Sequence, residues 1–198
     1  MKTKIWILLG ALLTVGSLFA GPITYAVTMN GPSESPANAS PGTGSASIII
    51  DSTANTLNIV ADVFSGLTGT TTASHIHCCT PTPFSGTAGV ATQTPSFTGF
   101  PLGVTSGSYS MLFDMTQAST WNSAFITASG GTPAGAEAAL VAGALAGKAY
   151  LNIHSTTFPG GEIRGFLVAV PEPGTMTLAF GALAGLILVS QLRRTKSA

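Results

Sequence analysis

The sequence predicts a mainly β protein, an antiparallel β-sandwich with a short α insertion, followed by a C-terminal transmembrane helix. Three observations lead there. Short runs alternate apolar with polar residues and are separated by Gly, Pro, Ser and Asn, which is the pattern of half-buried strands joined by turns. One Ala-rich stretch opens on Pro133 and closes near Gly147, as a helix does. The last apolar segment is uncharged and runs directly into Arg193, Arg194 and Lys196.

The elements follow in chain order. Tyr25 to Asn30 reads as a first strand, and Gly31 to Gly44 as a loop rich in Pro and Ser. Ser45 to Asp51 and Thr56 to Phe64 form a hairpin across Ser52-Thr53-Ala54-Asn55. In the second of these, Leu57, Ile59, Ala61 and Val63 alternate with Asn58 and Asp62, so one face is expected inside and the other wet. Gly66-Leu67-Thr68-Gly69 makes a turn before a short strand from Ala73 to Cys78. Thr80 to Gly107 is a long loop with Phe84, Phe97 and Phe100, of the kind that often forms a working surface. Ser108 to Met115 is a further strand, and Thr116–Ala128 and Pro133–Gly147 are helix candidates. Lys148 to Ser155 and Glu162 to Val168 complete the domain as a hairpin around Pro159-Gly160-Gly161. Its apolar face carries Leu151, Ile153, Ile163 and Leu167. A symmetric pairing sets His154 opposite Glu162 and Asn152 opposite Arg164 on the other face, where Glu162 and Arg164 are placed to form a salt bridge.

Both ends of the 198-residue chain carry apolar segments that stand apart from this domain. Residues 1–20 read as a signal peptide: Lys2 and Lys4, an apolar run from Ile5 to Phe19, and a cleavage site after Ala20. That run is short of the ~20 residues a spanning helix needs. Residues 21–169 are then one domain. It retains only Lys148 and Arg164 against Glu34, Asp51, Asp62, Asp114, Glu137 and Glu162. A nucleic-acid partner requires clustered Lys and Arg, so that class is excluded. Nor does the domain hold a nucleophile elbow between strand and helix, or an identifiable carboxylate pair for glycoside hydrolysis, so no catalytic residues are assigned.

Residues 170–198 have the opposite character. Pro171, Glu172 and Pro173 precede an uncharged span, about 174–192, long enough to cross the hydrocarbon core, and the basic cluster after it predicts a cytoplasmic C-terminus. This order of Pro-Glu-Pro, apolar helix and Arg cluster resembles the PEP-CTERM sorting signal of Gram-negative bacteria. The resemblance implies an exported, membrane-anchored precursor in the inner membrane, processing by an exosortase-type peptidase near Pro171, Glu172 and Pro173, and delivery to the cell surface or beyond. Cargo of this kind is commonly associated with exopolysaccharide and biofilm matrix, which makes extracellular polysaccharide a candidate partner.

The chemistry-bearing residues of the domain are few. His75 and His77 share one face of a strand because side chains repeat with a period of two. His154 lies on the polar face of the final hairpin, beside the polar cluster of Asn152, Glu162 and Arg164. Three imidazoles near a carboxylate suit Cu or Zn, and they equally suit a structural hydrogen-bond network. Cys78 and Cys79 are adjacent, so they cannot staple distant segments. In an oxidising compartment their outcomes are a vicinal disulfide shaping the loop, free thiols, intermolecular pairing or metal ligation.

Ala73-Ser74-His75-Ile76-His77, Gly66-Leu67-Thr68-Gly69, Tyr150-Leu151-Asn152-Ile153-His154 and Pro159-Gly160-Gly161-Glu162-Ile163-Arg164-Gly165 together resemble the CHRD domain. The resemblance runs from about Tyr25 to Val168 and implies an immunoglobulin-like or related β-sandwich. It departs from the family pattern at Cys78-Cys79 and in the long Thr80 to Gly107 loop. The two functional expectations are a non-enzymatic, surface-sorted module for adhesion or matrix association, and a metal-binding or metal-dependent domain using His75, His77 and His154.

Overall fold

A computed structural model describes residues 21–171. The strands are β1 (Ile23–Asn30), β2 (Thr43–Asp51), β3 (Thr56–Ser65), β4 (Thr71–His77), β5 (Gly107–Asp114), β6 (Tyr150–Ser155), β7 (Ile163–Phe166) and β8 (Val168–Ala169). Two helices, α1 (Ser123–Ala128) and α2 (Pro133–Leu145), lie between β5 and β6. The segment expected to be a signal peptide falls outside the described residues, as do Glu172, Pro173 and the apolar span after them. Among the described residues no helix is long and apolar enough to cross a membrane.

All strands belong to one antiparallel, eight-stranded sheet ordered β4-β6-β7-β1-β2-β3-β5, with β8 also pairing β1. The sheet curls instead of dividing into separately bonded layers. Register shifts at Ser47/Ile48, between Ile59 and Asp62, and between Thr71 and Ala73 add the local bends that curl it. Its two ends approach one another through the chain leading into β5. The Thr71 amide donates to Val104 O at 2.8 Å, Gly103 donates to Thr71 O at 2.8 Å, and Leu67 donates to Thr105 O at 3.1 Å.

The core fills the inside of the curl. Tyr25, Met29, Ile48, Leu57, Ile59, Ile76, Leu151, Ile153 and Ile163 are fully buried. Helix α2 contributes Ala136, Leu140 and Ala144 to the same cluster. It starts where Thr132 caps it, accepting a hydrogen bond from the Gly135 amide, with Pro133 in the first turn. The helix ends before Gly147, whose φ of 67° an L side chain rarely adopts.

Strand boundaries differ from the sequence expectation by one or two residues at most ends. The helix candidate from Thr116 resolves into a 3₁₀ turn at Ala118–Thr120 followed by α1. The final hairpin shows the larger difference. Asn152 does pair with Arg164 and Ile153 with Ile163, but both faces are covered. Tyr150, Asn152, Glu162 and Arg164 are all buried beside the apolar Leu151, Ile153 and Ile163. The second face is roofed by loops: Arg164 donates to Ser33 O and Gly86 O, and the Tyr150 hydroxyl donates to Ala88 O, while His154 and Phe166 on that face are half-buried.

Gly165 lets β7 reach β1. A Cβ there would collide with the Thr28 carbonyl oxygen, lie 2.7 Å from the Thr28 carbonyl carbon and 2.9 Å from Val27 Cγ1. Backbone cannot yield as a side-chain tip can. Gly165→Ala should therefore destabilise the domain by about 2 kcal/mol, read as a lower denaturant midpoint. An unchanged midpoint would show that this approach is not tight.

Candidate metal centre

The sheet order brings together the two histidine-bearing segments that the sequence separates. β4 pairs with β6, with Ala73 opposite His154, His75 opposite Asn152 and His77 opposite Tyr150. His75 and His77 project from one face of β4, and His154 comes to the same face from the neighbouring strand. One ring nitrogen from each lies within 4.8 Å of the other two. The Nε2 atoms of His75 and His154 are 2.9 Å apart. Ring centroids are 4.7 Å apart for His75–His77 and His75–His154, and 5.9 Å for His77–His154.

Backbone carbonyls set the orientation of two rings. His77 Nδ1 lies 2.8 Å from Ala88 O, and His154 Nδ1 lies 2.9 Å from Pro159 O. A carbonyl only accepts, so each Nδ1 carries the proton and each Nε2 presents a lone pair in the neutral ring. His77 Nε2 is buried and has no hydrogen-bond partner. His154 Nε2 is occupied by a proton from His75 Nε2 when no ion is bound. This is the outer-shell arrangement that fixes the tautomer of a metal-ligating histidine.

The surroundings keep the rings neutral. His75 and His77 are buried, and His154 is half-buried. Burial, with His77 and His154 beside it, pushes the His75 pKa down to about 3 against an opposing Pro95 carbonyl. Burial likewise pushes His77 down to about 4, the Ala88 carbonyl opposing and the positive charges of His154 and Arg164 adding. Burial also lowers His154. Once His75 moves its proton from Nε2 to Nδ1, three neutral imidazoles direct lone pairs at one another and can ligate a transition metal. Zn–N bonds of about 2.0–2.1 Å set tetrahedral ligands ~3.4 Å apart, so the trio needs only modest ring rotation to close on an ion.

The remaining sequence-predicted residues take other roles. Arg164 does not bridge to Glu162. Its Nε lies 3.7 Å from Glu34 Oε2 and donates to Ser33 O, and its Nη1 donates to Gly86 O at 2.9 Å. Glu162 sits at the start of β7 with its carboxylate turned to the opposite segment. It accepts from Ser40 Oγ at 2.6 Å, from the Thr68 amide, and from the Gly69 amide at 3.2 Å. Burial pushes its pKa up, but hydrogen bonds from Ser155, Ser40, Thr68 and Gly69 outweigh this and hold it low. The reason is position: the turn residues of Gly66-Leu67-Thr68-Gly69 offer two amides to Glu162, whereas Arg164, two residues further on, meets the loop after β1. Asn38 adds to this clasp, its Nδ2 donating to Glu162 O at 3.0 Å.

Cys78 and Cys79 are joined as a vicinal disulfide directly after His77. Both sulfurs pack on Gly143 of α2, where a Cβ would collide with them. Pro171, the first residue of the expected sorting motif, is the last described one.

Sequence reasoning missed Ala88, Pro159, Glu34 and the stack that backs the site. Tyr150 lies flat on His77, with centroids 4.7 Å apart and planes 4° from parallel, and Arg164 Cζ sits 4.7 Å over the other side of Tyr150. Alternation on β6 and β7 places Tyr150 and Arg164 near the histidines. Contacts made through backbone carbonyls of loops leave no residue-type signal.

These features define a charge-poor, antiparallel β domain with a buried tris-imidazole cluster on adjacent strands. The chain belongs to the CHRD family: the CHRD domain profile matches residues 25–167. Nothing among curated proteins or solved structures matches the chain.

Proposed function

We propose that this chain is a non-enzymatic, surface-sorted module of the extracellular matrix whose CHRD domain holds one transition-metal ion on His75, His77 and His154. The observation that carries the metal reading is the partnerless, buried Nε2 of His77 facing two further ring nitrogens. A buried acceptor without a donor is unfavourable by about 1–3 kcal/mol, and an ion removes that penalty. Surface sorting rests on Pro171, Glu172 and Pro173 with the apolar span and basic cluster after them. The matrix role rests on that signal together with the exposed apolar side chains Val60, Val63, Met111 and Leu112 of β3 and β5. Processing then requires an exosortase-type membrane peptidase, with extracellular polysaccharide as the candidate contact.

Elemental analysis of the full-length chain, purified after expression with Cu or Zn supplied, tests the site. One ion per chain is expected, falling at least ~10-fold in His77→Ala, as loss of one of three ligands implies. The far-ultraviolet circular dichroism of that variant should be retained. A metal content equal in both proteins, or none in either, overturns the assignment.

A further inference from the structure

We propose that the tris-histidine centre selects a singly charged, three-coordinate copper ion over zinc and over oxidised copper. The inference rests on the metal-binding reading above and adds the identity and charge of the ion.

The charges around the cluster decide which ion it favours. No carboxylate or thiolate is among its ligand atoms. Glu162 is engaged by Ser40, Thr68 and Gly69, and Glu34 faces Arg164. The cysteines that follow His77 are bonded to each other, so no thiolate is on offer. The partners behind His77 and His154 are neutral carbonyls of Ala88 and Pro159, where zinc histidines often have a carboxylate. The one full charge stacked against the site is positive. Arg164 lies over Tyr150, and Tyr150 lies over His77, in a continuous pile.

An ion entering this place finds no carboxylate or thiolate among its ligand atoms to offset its charge. The desolvation penalty of an ion rises with the square of its charge, so a dication is penalised about four times as heavily as a monocation of similar size. The unfavourable field of Arg164, reduced by its ion pair with Glu34, acts twice as strongly on the dication. Coordination number points the same way. Zinc takes four ligands, and Cu(II) takes a tetragonal set of nitrogen and oxygen donors. The cluster supplies three nitrogens from one side, with Tyr150 and Arg164 closing the side behind His77. Cu(I) is satisfied by three neutral imidazoles and adds only one charge.

The test uses the full-length chain under anaerobic conditions. Cu(I) is presented with bicinchoninate as competitor, Zn(II) with a chromogenic chelator, and Ag(I) serves as a redox-inert monovalent probe. Cu(I) and Ag(I) are expected to bind at one per chain, Cu(I) at least ~100-fold more tightly than Zn(II). The copper-loaded protein should remain silent in electron paramagnetic resonance after exposure to air. Zn(II) binding as tight as Cu(I), or a tetragonal Cu(II) spectrum in air, overturns the selectivity while leaving a metal site in place. Failure of all three ions to bind overturns the selectivity and the metal reading together.

Discussion

Ile163→Asp should lower the unfolding free energy by about 4 kcal/mol, because it places a carboxylate in the apolar centre of the curl. Ile163 is fully buried and pairs with Ile153. Its branches fill the space left by two glycines: a Cβ would lie 3.2 Å from Ile163 Cγ2 at Gly42, and 3.3 Å from its Cδ1 at Gly44. A charge there has neither solvent nor an opposing backbone donor built for it, since β7 already spends its amides on the sheet. At ~2–4 °C per kcal/mol for a domain of this size, the thermal midpoint should fall by roughly 8–16 °C. Calorimetry reads it directly. A midpoint unchanged from the parent would remove Ile163 from the core.

Asp62→Asn should stabilise the domain at neutral pH and leave it nearly unchanged in acid. Asp62 lies on β3 opposite Ala46, with Tyr109 on the other side. It is fully buried and neither carboxylate oxygen has a hydrogen-bond partner. Burial pushes its pKa from 3.8 to about 7. The unfolded chain therefore releases this proton at a lower pH than the folded one, and the unfolded state binds fewer protons between those values. Stability from this group falls as pH rises from about 4 to about 7. The shift sets a ceiling of roughly 4 kcal/mol. Glu34, also raised to about 7 by burial against the opposing pull of Arg164, acts in the same sense. The depressed histidines act in the opposite one, adding stability as pH rises from about 3 towards 6.5. Only the difference between variant and parent isolates Asp62. Denaturation at about pH 4 and pH 8 should show that difference opening by a few kcal/mol. A constant difference across that range would mean Asp62 is ionised throughout.

The parts of the fold that were legible in the sequence are those governed by local pattern. Period-two alternation located β2, β3 and the β6–β7 hairpin, and Pro133 with Gly147 bracketed α2. The register shift between Ile59 and Asp62, however, reverses the faces expected in the rest of β3, burying Asp62 and exposing Ala61 and Val63. The pairing of Asn152 with Arg164 followed from hairpin symmetry around Pro159-Gly160-Gly161. What alternation could not supply was the order of the strands. β7 lies beside β1 and β4 beside β6, and those long-range choices bring the loops after β1 and β4 over the polar face of the hairpin. Sequence spacing placed His154 near Glu162, whereas the sheet order places it against His75. The misassigned salt bridge has the same origin. Arg164 finds Glu34 across the sheet, in a loop whose sequence offers a lone acid among Ser and Pro.

The strand order also dictates when the cluster exists during folding. β1, β2 and β3 are successive antiparallel neighbours, and β6 and β7 form a local hairpin, so both units need only short loops to close. The β1–β7 and β4–β6 pairings join residues far apart in the chain and carry the greater loop-closure entropy. His75 and His77 travel with β4, while His154 travels with the hairpin. Their rings meet only when the β4–β6 pairing is complete. An ion held by all three therefore acts as a lock on that closure: by mass action it favours the state with β4 and β6 paired, by about 2.7 kcal/mol at a free concentration one hundred times Kd. It gives no help to a chain in which β4 has yet to reach the hairpin.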